Sequence, residues 1–271
     1  MNYYLLGYPV AHSVSPDMHN TAFRELGLHH HYSTYEVPPG KLGDIIENLK
    51  GDEFGGANVT LPHKINVIQY LDELAVSAKR TGAVNTIEYS DEILIGYNTD
   101  STGGVRALTE TYGDLSSAKV VLLGAGGAAQ ALAAELASRV DELIILNRSL
   151  EKAKKLVDLV EGTNYDSINN QEIIKTADIL INATPVGMHP NINDTLVKST
   201  NLHRGLLVFD IVYNPLRTRL MREAERKGAE TLGGLWMLVY QGVEAFSIWT
   251  GVEPSPESMY KAALSALEAN Q

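Results

Sequence analysis

Six residues, Gly124-Ala125-Gly126-Gly127-Ala128-Ala129, follow the apolar stretch Val120-Val121-Leu122-Leu123 and open an Ala/Leu-rich segment. The spacing is G-x-G-x-x-A between a strand and a helix. Side chains at these glycines would block the tight turn and keep backbone N–H groups away from a pyrophosphate at the helix N-terminus. Gly124, Ala125, Gly126, Gly127 and Ala128 are therefore the expected dinucleotide cradle. No Lys-Ser or Lys-Thr follows, which excludes a Walker A loop. The next apolar run ends Leu146-Asn147-Arg148-Ser149, where an NAD site would place Asp or Glu on the ribose hydroxyls. The Arg148 guanidinium suits a 2′-phosphate and can stack on adenine, and Lys152 adds charge one turn later, although it reads equally well as a solvated lysine. NADP is the expected cofactor.

A second set of candidates is neutral apart from one lysine and one aspartate. The hydroxyls of Ser13, Ser15 and Tyr213 can hold a carboxylate without a full counter-ion. Ser15-Pro16 also reads as a helix N-cap followed by proline at the first helical position. Thr60, Asn85 and Gln241 are donor–acceptors suited to hydroxyl groups, but Gln241 shares a helical stripe with Glu244 and Ser247 and could face solvent. On pattern alone Lys64 reads as a surface lysine, and Asp100 reads equally well as the cap of a helix beginning at Ser101 or as a site carboxylate. His29-His30-His31 lacks metal-ligand spacing, and no H-E-x-x-H or Cys/His cluster exists, so no metal is expected.

These residues must be positioned by alternating strands and helices. In the second half, apolar strands at 120–123, 143–146, 179–181 and 206–209 alternate with helices at about 127–138 and 150–160, which implies a parallel sheet covered on both faces. The first hundred residues offer strands at 3–7, 32–37, 56–59, 84–89 and 93–97, the last two joined as a hairpin through Ser90-Asp91. A helix over 235–249 and a final helix that follows Pro254 and Pro256 and ends near Glu268 close the chain. The expected fold is α/β: an N-terminal α/β domain (1–101), a Rossmann-type doubly wound parallel sheet (102–234), and C-terminal helices (235–271) that return to the first domain.

The chain has 271 residues, 22 Lys and Arg against 33 Asp and Glu, and no cysteine. A net charge of −11 argues against nucleic acid and anionic membranes as partners, and the absence of cysteine excludes disulfide and thiolate chemistry. No signal peptide or spanning segment is evident, so a cytoplasmic location is expected.

Seven motifs, in order, resemble the shikimate dehydrogenase family. Gly7-Tyr8-Pro9-Val10-Ala11-His12-Ser13-Val14-Ser15-Pro16 is similar to its G-x-P-x-x-H-S-x-S-P, Asn58-Val59-Thr60-Leu61-Pro62-His63-Lys64 to its N-V-T-x-P-x-K, Gly82-Ala83-Val84-Asn85-Thr86 to its G-A-V-N-T, and Asn98-Thr99-Asp100 to its N-T-D. Asn182-Ala183-Thr184-Pro185-Val186-Gly187-Met188 and Asp210-Ile211-Val212-Tyr213 resemble its N-A-T-P-x-G-M and D-x-x-Y, alongside the glycine loop. The resemblance implies reversible NADPH reduction of 3-dehydroshikimate to shikimate, a step of aromatic amino-acid biosynthesis, by a monomer or homodimer. It further implies that Lys64 is the acid/base residue with Asp100 as its partner, and that Ser13, Ser15, Asn58, Thr60, Asn85, Tyr213 and Gln241 bind substrate. Asn147, Arg148, Ser149, Lys152, Thr184, Ile211 and Gly234 join the glycine loop around the cofactor. Ser101 stands where the family commonly has glycine, which leaves the local loop conformation open. A quinate/shikimate dehydrogenase of broader specificity and a non-catalytic NADP-responsive binding module are the rival readings; mere binding would not require the Lys64 and Asp100 pair.

Overall fold

The computed structural model describes residues 1–51 and 53–269. It divides into two compact units, one formed by Met1–Gly103 with the C-terminal segment from Val239, the other by Gly104–Leu238.

The first unit begins with β1 (Asn2–Gly7), α1 (Ser15–Glu25), β2 (His31–Glu36), α2 (Leu42–Leu49) and β3 (Phe54–Val59). Next come β4 (Glu73–Leu74), α3 (Val76–Thr81), β5 (Thr86–Ser90), β6 (Ile93–Tyr97) and α4 (Thr99–Tyr112), within which the chain passes to the second unit. The six strands form one sheet in the order β2-β1-β3-β5-β6-β4. β1 pairs parallel with β2 and β3, whereas β5 runs antiparallel to β3 and to β6. The turn between β5 and β6 is made by Asp91 and Glu92, both at positive φ (52° and 64°), one residue later than the Ser90-Asp91 junction read from the sequence.

Side chains alternate across this sheet. Leu6, Ala57, Val59 and Ile87 face a core that includes Leu42 and Ile46 of α2 and Ala78 of α3. On the other face, Tyr3 stacks on Phe23 of α1 and on Trp249 (centroids 5.4 and 4.7 Å apart), and the Trp249 indole donates to the Ile87 carbonyl at 2.9 Å.

The second unit contains β7 (Lys119–Leu123), α5 (Gly127–Leu136), β8 (Glu142–Asn147), α6 (Leu150–Leu159), β9 (Thr163–Ser167), β10 (Ile179–Asn182), β11 (Leu207–Asp210), α7 (Arg219–Arg226) and β12 (Glu230–Gly233). All pairings are parallel, in the order β12-β11-β10-β7-β8-β9. This is the doubly wound arrangement, with its switch point between β7 and β10. The inner strands β10 and β11 are buried throughout and β7 nearly so, as their unbroken apolar runs require. α8 (Gly234–Thr250) returns the chain to the first unit and α9 (Pro256–Ala269) packs there on α1. Among the described residues no helix is long and apolar enough to cross a membrane.

Candidate active site

In the first unit, strand direction brings four separated motifs to one edge of the sheet. β1, β3 and β6 are mutually parallel, so the segments after Gly7, Val59 and Tyr97 leave at the same end. β5 runs the other way, so Asn85, immediately before it, lies at that end too. Backbone bonds lock the edge: Thr60 N donates to Leu6 O (2.9 Å), Val59 N to Asn85 O (2.8 Å), Val84 N to Lys64 O (2.8 Å) and Asn85 N to Tyr97 O (3.0 Å).

Lys64 projects from the turn after β3, which is anchored where the buried His63 ring donates from Nε2 to Val37 O at 2.7 Å. Its ammonium is ion-paired with Asp100, in the first turn of α4, and both side chains stay partly exposed, at 29% and 21%. α4 starts at Thr99, two residues earlier than a helix capped by Asp100 would. Asn98 supplies the cap: its Oδ1 accepts from Ser101 N at 3.3 Å, and the Ser101 hydroxyl donates to Asn98 O at 3.4 Å. Serine at 101 thus sits in regular helix, and the Asp100 carboxylate is left for Lys64.

Around this pair lie neutral groups. Asn85 Oδ1 accepts from Thr99 N (2.7 Å), which fixes the amide orientation and points Nδ2 at Gln241 Oε1 (3.4 Å) and Thr99 Oγ1 (3.0 Å). Gln241 is buried rather than solvent-facing, because α8 passes so close to α4 that a Cβ on Gly103 would lie 2.5 Å from the Gln241 amide nitrogen. Thr60 is half-buried at the mouth of the same edge. Asn58 is buried with its amide engaged internally, donating to Asn85 O (3.2 Å) and Thr86 Oγ1 (3.0 Å). Thr86 and Thr99, which bond to Asn85 and to each other, were not among the sequence candidates, although both lie inside the G-A-V-N-T and N-T-D motifs.

Ser13 and Ser15 stand at the start of α1. Val14 occupies the N-cap position without a side-chain bond, so Ser15 is the first helical residue rather than the cap. Its hydroxyl accepts from Ser13 Oγ at 3.1 Å, and Ser13 Oγ accepts from Ser15 N at 3.2 Å. Two hydroxyls at a helix N-terminus suit an anion.

In the second unit the cofactor candidates share the carboxyl edge of the parallel sheet. Gly124 needs its glycine: φ is +112°, and a Cβ would lie 3.0 Å from Thr184 Cγ2 and 3.1 Å from Ala183 O. Above Gly126 and Gly127 there is open space at the N-terminus of α5, with nothing within 4 Å of an added Cβ, so a phosphate can approach the backbone closely. Among the described residues Arg148 and Lys152 make no ion pair and are exposed, and Ser149 caps α6 by accepting from Lys152 N at 3.3 Å. Asn147 Nδ2 donates to Ser149 O at 2.9 Å, shaping the turn that carries Arg148.

Across the switch point, Asn182 Oδ1 accepts from the Thr184 hydroxyl (2.7 Å) and its Nδ2 donates to Asp210 Oδ1 (2.9 Å), tying the loops after β10 and β11 together. Burial pushes the Asp210 carboxyl up to about 6, against the opposing pull of donors from Thr218, Val212 and Asn182. Gly234 lies against the Ile211 carbonyl, where any side chain would collide with backbone, and Tyr213 is 38% exposed. Among the described residues no group of three potential metal ligands occurs.

Three family models match the chain in order: a shikimate dehydrogenase substrate-binding domain over residues 5–87, a shikimate/quinate 5-dehydrogenase domain over 106–215, and a shikimate 5′-dehydrogenase C-terminal domain over 234–264. A shikimate dehydrogenase (NADP⁺) of Thermococcus kodakarensis is 46% identical, with 98% of this chain and 96% of that protein covered. A crystal structure of a shikimate dehydrogenase in complex with NADP⁺ superposes with a TM-score of 0.93 at 43% identity, covering 97% of this chain and 94% of that one. The Thermus thermophilus enzyme in complex with NADP(H) and shikimate gives a TM-score of 0.91 at 36% identity, covering 98% and 99%. With edge, glycine loop and sequence in agreement over nearly the whole length, the chain belongs to the shikimate dehydrogenase family.

Proposed function

We propose that this chain is an NADP-dependent oxidoreductase that interconverts 3-dehydroshikimate and shikimate, with Lys64 and Asp100 as its acid–base pair. The carrying observation is the Lys64–Asp100 ion pair, set among neutral hydrogen-bonding groups at one sheet edge in a member of this family.

A substrate carboxylate would be held by the Ser13 and Ser15 hydroxyls at the positive end of α1, and ring hydroxyls by Thr60, Asn85, Gln241 and Asp100. Asn58 would fix this surface through its internal bonds; Tyr213 is assigned to substrate on family grounds. Bound NADPH supplies the hydride. As the ketone carbon is reduced, its oxygen gains a proton from the Lys64 ammonium, and in the reverse direction neutral Lys64 accepts the hydroxyl proton. Asp100 holds the ammonium toward that oxygen. On the cofactor side, Gly124, Ala125, Gly126, Gly127 and Ala128 present backbone N–H groups to the pyrophosphate. Arg148, with Asn147, Ser149 and Lys152, would receive the 2′-phosphate, and Thr184, Ile211 and Gly234 the nicotinamide half.

The test is to mix the protein with NADP⁺ and shikimate, and separately with quinate, and follow reduced nicotinamide. Turnover of shikimate is the expected result; absence of turnover with either acid in protein that binds NADP⁺ would sink the proposal.

A further inference from the structure

Donors from three segments of the second unit converge on one buried carboxylate that the acid–base chemistry does not use. Asp210 ends β11 and has no exposed surface. Its Oδ1 accepts from Asn182 Nδ2 at 2.9 Å, at the end of β10, and from Val212 N at 3.1 Å, in the loop after β11. Its Oδ2 accepts from the Thr218 hydroxyl at 2.7 Å, and Thr218 in turn caps α7 by accepting from Met221 N at 3.3 Å. Burial lifts the carboxyl only to about 6, so at neutral pH it is ionised and all three donors have an acceptor.

The direction of each proton follows from neighbours that have a single role. Thr184 N can only donate and Val186 O only accept, so Asn182 turns Oδ1 to the first and Nδ2 to the second, each at 3.2 Å, and its other Nδ2 proton to Asp210. Val212 N can only donate, and Met221 N leaves the Thr218 hydroxyl proton free for Oδ2. Every partner of the carboxyl is therefore a donor, which an acceptor-only group with two oxygens matches. The Thr184 proton is held by Asn182 Oδ1 at 2.7 Å, so the turn after β10 meets a ligand with its backbone shape rather than with that proton.

The two bonds to Oδ1 set the edge of the crevice. Asn182 holds the turn 182–186 from inside, and that turn packs on the glycine loop, where a Cβ on Gly124 would lie 3.1 Å from Ala183 O. Val212 N fixes the loop after β11, whose Ile211 carbonyl would lie 2.0 Å from a Cβ on Gly234. Removal of Oδ1 would leave two donors without an acceptor, and both turns would shift to satisfy them. The bond to Oδ2 acts on the start of α7 instead.

We propose that Asp210 is a positioning residue for the cofactor: its Oδ1 sets the turns after β10 and β11 in the shape that receives the nicotinamide half, without touching the cofactor itself. The inference rests on the assignment of Thr184, Ile211 and Gly234 to that half.

The test compares wild type with Asp210→Ala, Asp210→Asn and Thr218→Val. Calorimetry measures binding of NADP⁺, of shikimate, and of adenosine 2′,5′-bisphosphate, which lacks the nicotinamide half; steady-state kinetics accompany it. Asp210→Ala should lower kcat/KM for NADP⁺ roughly 10- to 100-fold, the weight of hydrogen bonds to a charged group. NADP⁺ should bind more weakly, with affinity for the bisphosphate and for shikimate nearly unchanged. Asp210→Asn should restore most of the loss, because the amide keeps an oxygen toward Asn182 and Val212 and its NH₂ can donate to the Thr218 oxygen. Thr218→Val removes only the bond to Oδ2 and the cap, so Tm should fall while the cofactor constants hold. A purely structural carboxylate would make cofactor binding follow Tm across all three variants. Equal weakening of NADP⁺ and the bisphosphate in folded Asp210→Ala, wild-type cofactor constants in it, or no recovery in Asp210→Asn would overturn the proposal. Should Asp210→Ala fail to fold, Asp210→Ser takes its place with the same expectation, since its hydroxyl is one bond too short to reach Asn182. Wild type that binds NADP⁺ no more tightly than the bisphosphate and does not turn over shikimate would instead refute the assignment of these turns to the nicotinamide half.

Discussion

Lys64 and Asp100 meet across 36 positions of sequence because β3 and β6 run in the same direction with one antiparallel strand between them. The ammonium leaves the turn after β3 and the carboxylate the first turn of α4, after β6. Both remain partly open to solvent, which a proton-transferring pair needs.

Lys64→Ala should lower kcat by about 10²- to 10⁴-fold, or about 3 to 5 kcal/mol of transition-state stabilisation, with a much smaller change in shikimate binding. Asp100→Ala should also lower kcat, and the double variant should be far from additive, since the two groups act on one proton. Near wild-type kcat in folded Lys64→Ala would remove it from the chemistry.

Arg148→Asp should weaken NADP by roughly 10- to 100-fold while leaving NAD little changed, as one charge-assisted contact of about 1.5 to 3 kcal/mol is lost and a repulsion gained. The comparison of kcat/KM for the two cofactors decides this, and equal losses would separate Arg148 from the 2′-phosphate.

Ser13→Ala combined with Ser15→Ala should raise the KM for shikimate and leave NADP⁺ binding nearly normal, because the cofactor candidates belong to the other unit. Calorimetry showing full shikimate affinity in the folded double variant would place the carboxylate elsewhere.

Gly103→Ala should disturb both stability and substrate. The methyl group would lie 2.5 Å from the backbone nitrogen of Gln241 and 2.8 Å from its Cα, neither of which can swing aside. A loss of about 1 to 3 kcal/mol in chemical denaturation is expected from such overpacking, together with weaker shikimate binding as Gln241 is displaced from Asn85. A variant as stable as wild type with the same Kd would show that α4 and α8 separate freely.

His19 makes stability depend on pH. Among the described residues neither buried ring nitrogen has a hydrogen-bond partner, and burial lowers the pKa from 6.5 to about 3. Between those values the unfolded chain holds the extra proton, so stability falls as pH drops from about 6.5 toward 3 and is unaffected by this group above that window. From pH 7 to 5 the contribution lost is about 2 kcal/mol. His19→Leu should therefore lose less than wild type over that interval in urea unfolding; parallel losses would mean that His19 is not the group responsible.

The second unit was legible because its signals are local. Val120 to Ala129 holds strand, turn and helix start in one contiguous stretch, and Arg148 marks the end of the next strand. The strands that escaped, β4, β9 and β12, are three of the four edge strands of the two sheets, and β9 reads Thr-Asn-Tyr-Asp-Ser, polar because only its inner side is covered. In the first unit Lys64 and Asp100 carry no pattern of their own; the motifs around them made them candidates, and the strand directions explain their meeting. Gln241 could not be settled from periodicity because α8 is buried on more than one side.

The division of the first unit between the two ends of the chain sets an order of events during synthesis. By residue 238 every strand of the parallel sheet has been made, whereas the first unit still lacks Gln241, Phe246 and Trp249. Phe246 packs on Phe23 with centroids 4.8 Å apart, and Trp249 closes on Tyr3 and Ile87, so one face of the first sheet is covered only in part, by α1, until α8 has left the ribosome. The second unit can fold as a nascent chain, and the first unit, which carries Lys64, must wait for α8, which is translated after it.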